Sequence, residues 1–199
     1  MLFRFTRSTI NWYYHTGYLN ATSSGASFGS SGIYHTINAT ATTATLNLRN
    51  NSITNTSTPK GTGVTTAYRR SAATLTNYAS TSNNNLFYAG TPSATRLIFY
   101  DGTNSDQTLA AYKSRVTPRD ASSVTENLTA KFLSSTGSSA LFLHMDAAQP
   151  TQLESGAVNI AGFTDDFDAQ VRAGNAGYTG AGTAPDIGAD EVFGIEALP

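Results

Sequence analysis

Two asparagine-rich stretches, Arg49-Asn50-Asn51-Ser52-Ile53 and Ser82-Asn83-Asn84-Asn85-Leu86, lie thirty-three residues apart. This echo constrains the chain more than any other feature. Asn favours turns, yet each run leads into an apolar residue suited to a strand. A turn-then-strand unit that returns along a chain marks a protein stacked on itself. A second echo, Tyr14-His15-Thr16 and Tyr34-His35-Thr36, has a spacing of twenty residues. Taken as the period, twenty residues give one layer of parallel strands, each layer about 4.8 Å above the last. Like residues then sit over like, and stacked Asn side chains bond in ladders. On this reading the longer spacing is one layer plus a loop near residues 57–76.

Composition decides between order and disorder. Thr, Ser and Asn supply 66 of 199 residues, 43 of them in residues 1–100. Such a bias accompanies disorder when apolar residues are scarce, but here it is interleaved with 10 Tyr and 10 Phe. Strands are expected at residues 12–19, 32–37, 44–48, 52–55, 64–68, 86–88 and 97–100, each bounded by Asn, Gly, Ser or Pro. Residues 141–145 and 156–160 are two more buried strand candidates. One helix is expected over residues 107–116, capped by Ser105-Asp106 and stopped by Pro118. The predicted fold is all-β, a parallel β-helix with one short helix and a C-terminal cap. It forms one domain, with residues 1–130 as the layers and 131–199 as the last layers and cap.

Charge narrows the function. Charged residues are 13% and the formal net charge is -1, so no basic footprint for nucleic acid or an anionic membrane exists. No apolar run is long enough to span a bilayer as a helix, and the first residues lack the apolar core of a signal peptide. The absence of cysteine excludes disulfides and thiolate metal sites.

The segment from Leu153 to Gly194, LESGAVNIAGFTDDFDAQVRAGNAGYTGAGTAPDIGADEVFG, has a Gly-rich strand, an Asp-rich turn followed by Arg172, and the closing Pro185-Asp186-Ile187-Gly188-Ala189-Asp190-Glu191. It resembles the C-terminal end of secreted right-handed parallel β-helix proteins of the pectate-lyase-like superfamily, of the kind found in Bacteroidetes. The Asn- and Ser-rich stretches YLNATSSGASFGSSGIYHT and STSNNNLFYAG fit the same group. The resemblance implies an extracellular or cell-surface parent protein, of which this chain looks like the C-terminal piece. It does not select an activity, because that superfamily holds lyases, glycoside hydrolases, esterases and non-catalytic adhesins. The tail itself is read as a cap: Ile187 and Val192 plug the last layer, while Asp186, Asp190 and Glu191 keep its outer surface soluble.

Several groups carry candidate chemistry, each beside a plainer structural reading. Asp165, Asp166 and Asp168, with Arg172 nearby, offer the oxygen-rich turn that Ca²⁺ takes; the plainer reading is a turn in which Asp side chains accept backbone N–H groups. The companion motifs of pectin glycosidases are absent. His144 and Asp146, spaced i, i+2 on an expected strand, would face one side and pair as a base with its orienting carboxylate. Arg69 and Arg70 match the basic residue with which lyases of the resembling superfamily abstract a proton, and otherwise form a solvated loop pair. Residues 101–106, Tyr100 preceding, alternate oxygen ligands but lack the bidentate Glu of an EF-hand, so a turn explains them. His15 and His35 would stack if the period is twenty.

Two classes of function remain. One is a surface module that binds glycans or partner surfaces; the other is a calcium-assisted hydrolase or lyase acting on a carbohydrate, ester or lactone. Residues 1–100 contain no Asp or Glu, which tilts the reading to the first. An uncapped N-terminal layer predicts homo-oligomers through that end, or residues 1–10 folding back over it.

Overall fold

The computed structural model describes residues 9–37 and 44–197. The described chain is dominated by strands, with one short helix. Its order is β1 (Thr9–Tyr13), β2 (Thr16–Leu19), β3 (Ser30–His35), β4 (Thr45–Arg49), β5 (Ser52–Asn55), β6 (Thr65–Arg70), β7 (Leu86–Tyr88), β8 (Arg96–Tyr100), β9 (Ser105–Asp106), α1 (Leu109–Val116), β10 (Pro150–Thr151) and β11 (Ile195–Glu196). The strands expected in the first hundred residues all form. The run 12–19 is broken in two by Tyr14, whose backbone is left-handed at φ 56°.

The pairing is a set of parallel ladders between non-consecutive strands. β1 pairs with β4, β2 with β5 and then β7, and β3 with β6 and then β8. Thr9 lies opposite Thr45, Thr16 opposite Ser52, and Ser30 opposite Thr65. The chain thus returns over itself after 36, 36 and 35 residues. Isolated parallel bridges extend two ladders, Leu46 to Tyr78 and Leu86 to Val124. The repeat is therefore the Asn echo, not the Tyr-His-Thr echo. His15 precedes β2 whereas His35 ends β3, and these strands belong to different sheets.

The Asn runs mark a shared corner. Tyr14, Asn50, Asn84 and Asp120 all have left-handed backbones, at φ 56°, 60°, 56° and 54°. Asn tolerates this conformation better than most residues because its side chain bonds locally. Beside the corner runs a ladder of buried side chains. Asn51 Oδ1 accepts from the His15 N–H, Asn85 Oδ1 from both the N–H and Nδ2 of Asn51, and Asp120 Oδ1 from Asn85 Nδ2. Each buried amide thereby satisfies backbone groups in the layer beside it, which removes the cost of burying them.

Two apolar clusters result. The first gathers Leu46, Leu48, Ile53, Ala67, Tyr68, Phe87, Ile98 and Phe99 with Tyr112 and Val116 of α1. The helix is capped by Thr108, whose hydroxyl accepts the Ala111 N–H; Asp106, expected to cap it, instead takes two bonds from Arg115. The second cluster joins Tyr14 and Leu86 to Leu128, Met145, Leu153, Ala157, Ile187 and Val192. Ile187 and Val192 are buried as expected, but the tail runs across several layers rather than over one end. Gly188 N–H bonds the Asn50 carbonyl and the Ala189 N–H bonds Thr16 Oγ1. Gly188 has φ +110°, and a Cβ there would meet Thr16 Oγ1 at 2.7 Å, so only glycine fits.

The tail departs from expectation in two further ways. Residues 141–145 and 156–160 form no strands; the first are turns and single bridges and the second is irregular backbone with one bend. The closing carboxylates turn inward instead of to solvent. Asp186 and Glu191 are 1% and 2% exposed. Asp186 accepts the N–H groups of Ser155 and Val192, Glu191 those of Ala173 and Asp186, and Glu154 that of Gly194. Among the described residues no helix is long and apolar enough to cross a membrane. The expected cover of the first layer by residues 1–10 falls mostly outside the described residues.

Candidate functional site

Three irregular segments of the tail converge beside Thr16 of β2. Residues 132–146 fold back on themselves: Leu143 N–H bonds the Ser134 carbonyl, Leu133 N–H bonds the His144 carbonyl, and Phe132 bridges Met145. This loop presents the His144 ring. Residues 165–171 form a tight turn closed by the Asp165–Val171 bridge. Asp166 organises it, its Oδ1 accepting the N–H groups of Asp168 and Gln170 and its Oδ2 that of Glu191. The third segment, 187–191, is clamped by Arg172. The buried Arg172 guanidinium donates to the carbonyls of Asp165, Gly188 and Ala189 and to Glu191 Oε2, and lies 4.1 Å from the Tyr14 ring centre.

The convergence places His144 Nδ1 at 3.3 Å from Asp168 Oδ2 and 3.5 Å from Asp190 Oδ1. The second oxygen of Asp190 accepts the Met145 N–H at 2.9 Å, which fixes the carboxylate's orientation. Burial raises the Asp190 carboxyl above its ordinary range; the nearby Asp166 and Asp168 charges push the same way, against the Met145 N–H and His144. The three groups border a cavity of about 390 Å³, whose wall includes Thr16, Ser139, Phe142, Leu143, Phe167 and Ala189. Phe167 is 83% exposed, an unusual position for a Phe side chain.

The other sequence candidates separate from this cleft. Asp146 does not pair with His144; no strand forms there, and its Oδ1 accepts the Ala148 N–H in a turn. Of the three Asp residues proposed for a cation, Asp166 has both oxygens occupied by backbone N–H groups and Asp168 faces His144. Among the described residues, the one trio of ligand-bearing side chains whose atoms all lie within 4.8 Å is His144, Asp168 and Asp190. Arg70 is 1% exposed and bonds His35, Tyr68, Asn77 and the Thr74 carbonyl, so it is a core strut and not a solvated loop residue. Burial and the Arg70 charge lower the His35 imidazole to about 4. Arg69 lies between the rings of Tyr34 and Tyr100, 5.0 and 5.3 Å from their centres. Asp101 accepts the N–H groups of Thr103 and Asn104, as the turn reading required.

Sequence reasoning found His144 and Asp168 but not their meeting, and it missed Asp190, Phe142 and Phe167. One signal pointed to it: residues 141–199 hold nine carboxylates and, besides His144, a single basic side chain, Arg172. So many acids with so few cations must turn to backbone N–H groups or to a shared positive partner. Searches of protein-family models, of curated proteins and of solved structures each return no match for this chain.

Proposed function

We propose that the chain is a parallel β-helix of the pectate-lyase-like kind, and that it serves as an extracellular or surface module binding a glycan in the His144 cleft. The fold reading is supported by parallel ladders recurring at 31 to 36 residues, from Thr65 opposite Arg96 to Thr9 opposite Thr45. It is supported further by the corner column and the buried amide ladder. The binding reading is carried by one observation: a cleft of about 390 Å³ that sets Phe142 and Phe167 beside an imidazole and two carboxylates. Ligand sites combine apolar walls with a few placed polar groups. A sugar ring offers C–H faces to the first and hydroxyls to the second.

The test is retention on an immobilised glycan panel, followed by calorimetry with the best binder. Wild type is expected to bind, and Phe167→Ala to weaken binding by about tenfold, roughly the 1.4 kcal/mol of one lost ring contact. Absence of binding to every glycan, or unchanged binding by the variant, removes the reading.

A second reading, a hydrolase or lyase assisted by calcium, is favoured by a separate feature. His144 stands between two carboxylates, one of them raised, which is the arrangement of a proton-transfer group. Release of reducing sugar, unsaturated uronate or free acid from a substrate panel, abolished by His144→Ala, is its expected result.

A further inference from the structure

We propose that His144, Asp168 and Asp190 form a binding site for a divalent transition-metal ion, zinc being the best match. The inference stands apart from the glycan reading, because the ion needs only these three side chains and water. Donor spacing is the first argument. A tetrahedral ion with bonds of about 2.0–2.1 Å holds its donors about 3.3–3.4 Å apart. His144 Nδ1 lies 3.3 Å from Asp168 Oδ2 and 3.5 Å from Asp190 Oδ1. Donor type is the second. Calcium and magnesium take oxygen ligands, whereas imidazole suits zinc, copper and nickel. The set therefore differs in kind from the all-carboxylate calcium site expected of Asp165, Asp166 and Asp168.

The surroundings fit the same role. Asp190 keeps one oxygen on the Met145 N–H and Asp168 is fixed through its own N–H to Asp166, the outer support that metal ligands need. Arg172 is spent on Glu191 and three carbonyls, so its charge does not fill the place of the cation. Three protein donors beside a cavity leave the fourth position to water or a ligand, the pattern of zinc sites that do chemistry rather than hold a fold together.

The experiment is calorimetric titration of the chelator-stripped chain with Zn²⁺ alone and, in parallel, with Ca²⁺ alone. Wild type is expected to take one equivalent of Zn²⁺ and to bind Ca²⁺ far more weakly. Asp168→Asn and His144→Ala are expected to lose roughly tenfold or more in affinity, while His15→Ala binds as wild type; circular dichroism establishes that each variant is folded. Loading with Co²⁺ is expected to give the intense visible bands of a tetrahedral centre. No single-equivalent Zn²⁺ binding, equal affinity in the folded Asp168→Asn and His144→Ala chains, Ca²⁺ binding as tight as Zn²⁺, or only the pale spectrum of octahedral Co²⁺ overturns the proposal.

Discussion

The ladder half and the tail solve one problem with different chemistry. Among the described residues up to 124, most backbone groups are met by the neighbouring layer, through strand ladders and the amide column of Asn51 and Asn85. In residues 125–197 strands are almost absent, and carboxylates take the N–H groups instead: Asp166, Asp186, Asp190, Glu154 and Glu191 each accept at least one. The charge follows that division. Residues 1–124 hold ten Lys or Arg side chains and three carboxylates; residues 125–199 hold two Lys or Arg side chains and ten carboxylates. A repeating backbone meets most of its groups through its neighbours, whereas an irregular one leans on side-chain acceptors.

The strongest way to break the tail is Arg172→Ala. It leaves Glu191 buried without its cation and frees the carbonyls of Gly188 and Ala189. Removing one partner of a buried pair costs about 3–5 kcal/mol, to be read by urea unfolding. A loss under about 1 kcal/mol would mean that the carboxylate network holds without its clamp.

The matching cut in the ladder half is Asn85→Ala. Asn85 serves both the N–H and side chain of Asn51, the Leu48 carbonyl and Asp120. Unmet buried groups at about 1–3 kcal/mol each, partly relieved by relaxation, predict a loss of about 2–3 kcal/mol in the same assay. A neutral result would show that the amide column is a consequence of stacking and not a support.

Acidity probes the tail in a graded way. Burial, with Glu191 and Glu154 nearby, raises Asp186 to about 8 from an ordinary 3.8, and burial also raises Asp190 and Glu191. A carboxyl raised in the folded state keeps its proton where the unfolded chain has lost it. Its contribution is full below the unfolded value and disappears as pH rises through the folded one. Stability is thus expected to fall between about pH 4 and 8, by at most about 1.4 kcal/mol per pH unit for one proton. Thermal melts across that range measure it, and Asp186→Asn should flatten the slope. A steeper slope in the variant would contradict the assignment.

The smallest effect belongs to the seam. Asn50 exchanges side-chain bonds with Val158, its Nδ2 to the carbonyl and its Oδ1 from the N–H. Asn50→Gly keeps the left-handed corner and loses only these, so a cost of about 1 kcal/mol is expected, with proteolysis in the tail as a sensitive readout. Unchanged stability and unchanged cleavage would show that the seam rests on apolar contact alone.

The ease of reading the sequence divides along the same line. Short strands were legible in the first half because aromatic residues set among Thr, Ser and Asn, and Asn-rich punctuation, are local signals. The Asn echo carried the repeat because Asn50 and Asn84 occupy the same left-handed corner. The Tyr14-His15-Thr16 echo misled because similar triplets served two different sheets, and nothing local distinguishes them. In the tail, Asp186, Asp190 and Glu191 were read as solubilising because an acid next to a turn is most often exposed. Their burial depends on backbone groups contributed from segments tens of residues away, and so does the meeting of His144 with Asp168 and Asp190.

The corner column also says where the chain can grow. Between β1 and β2, and again between β4 and β5, the corner is two residues long. The connection leading to the third strand of each layer is not held so strictly: it spans residues 20–29, 56–64 and 89–95 in successive layers. Length variation is thus absorbed at those connections and refused at the corner. Inherited insertions, or a peptide epitope grafted by design, would be accommodated at the exposed tip of that connection, residues 22–26, between the Ala21 and Phe28 pairings with the next layer. The same peptide placed between Asn50 and Asn51 would throw every later residue out of phase with its neighbours.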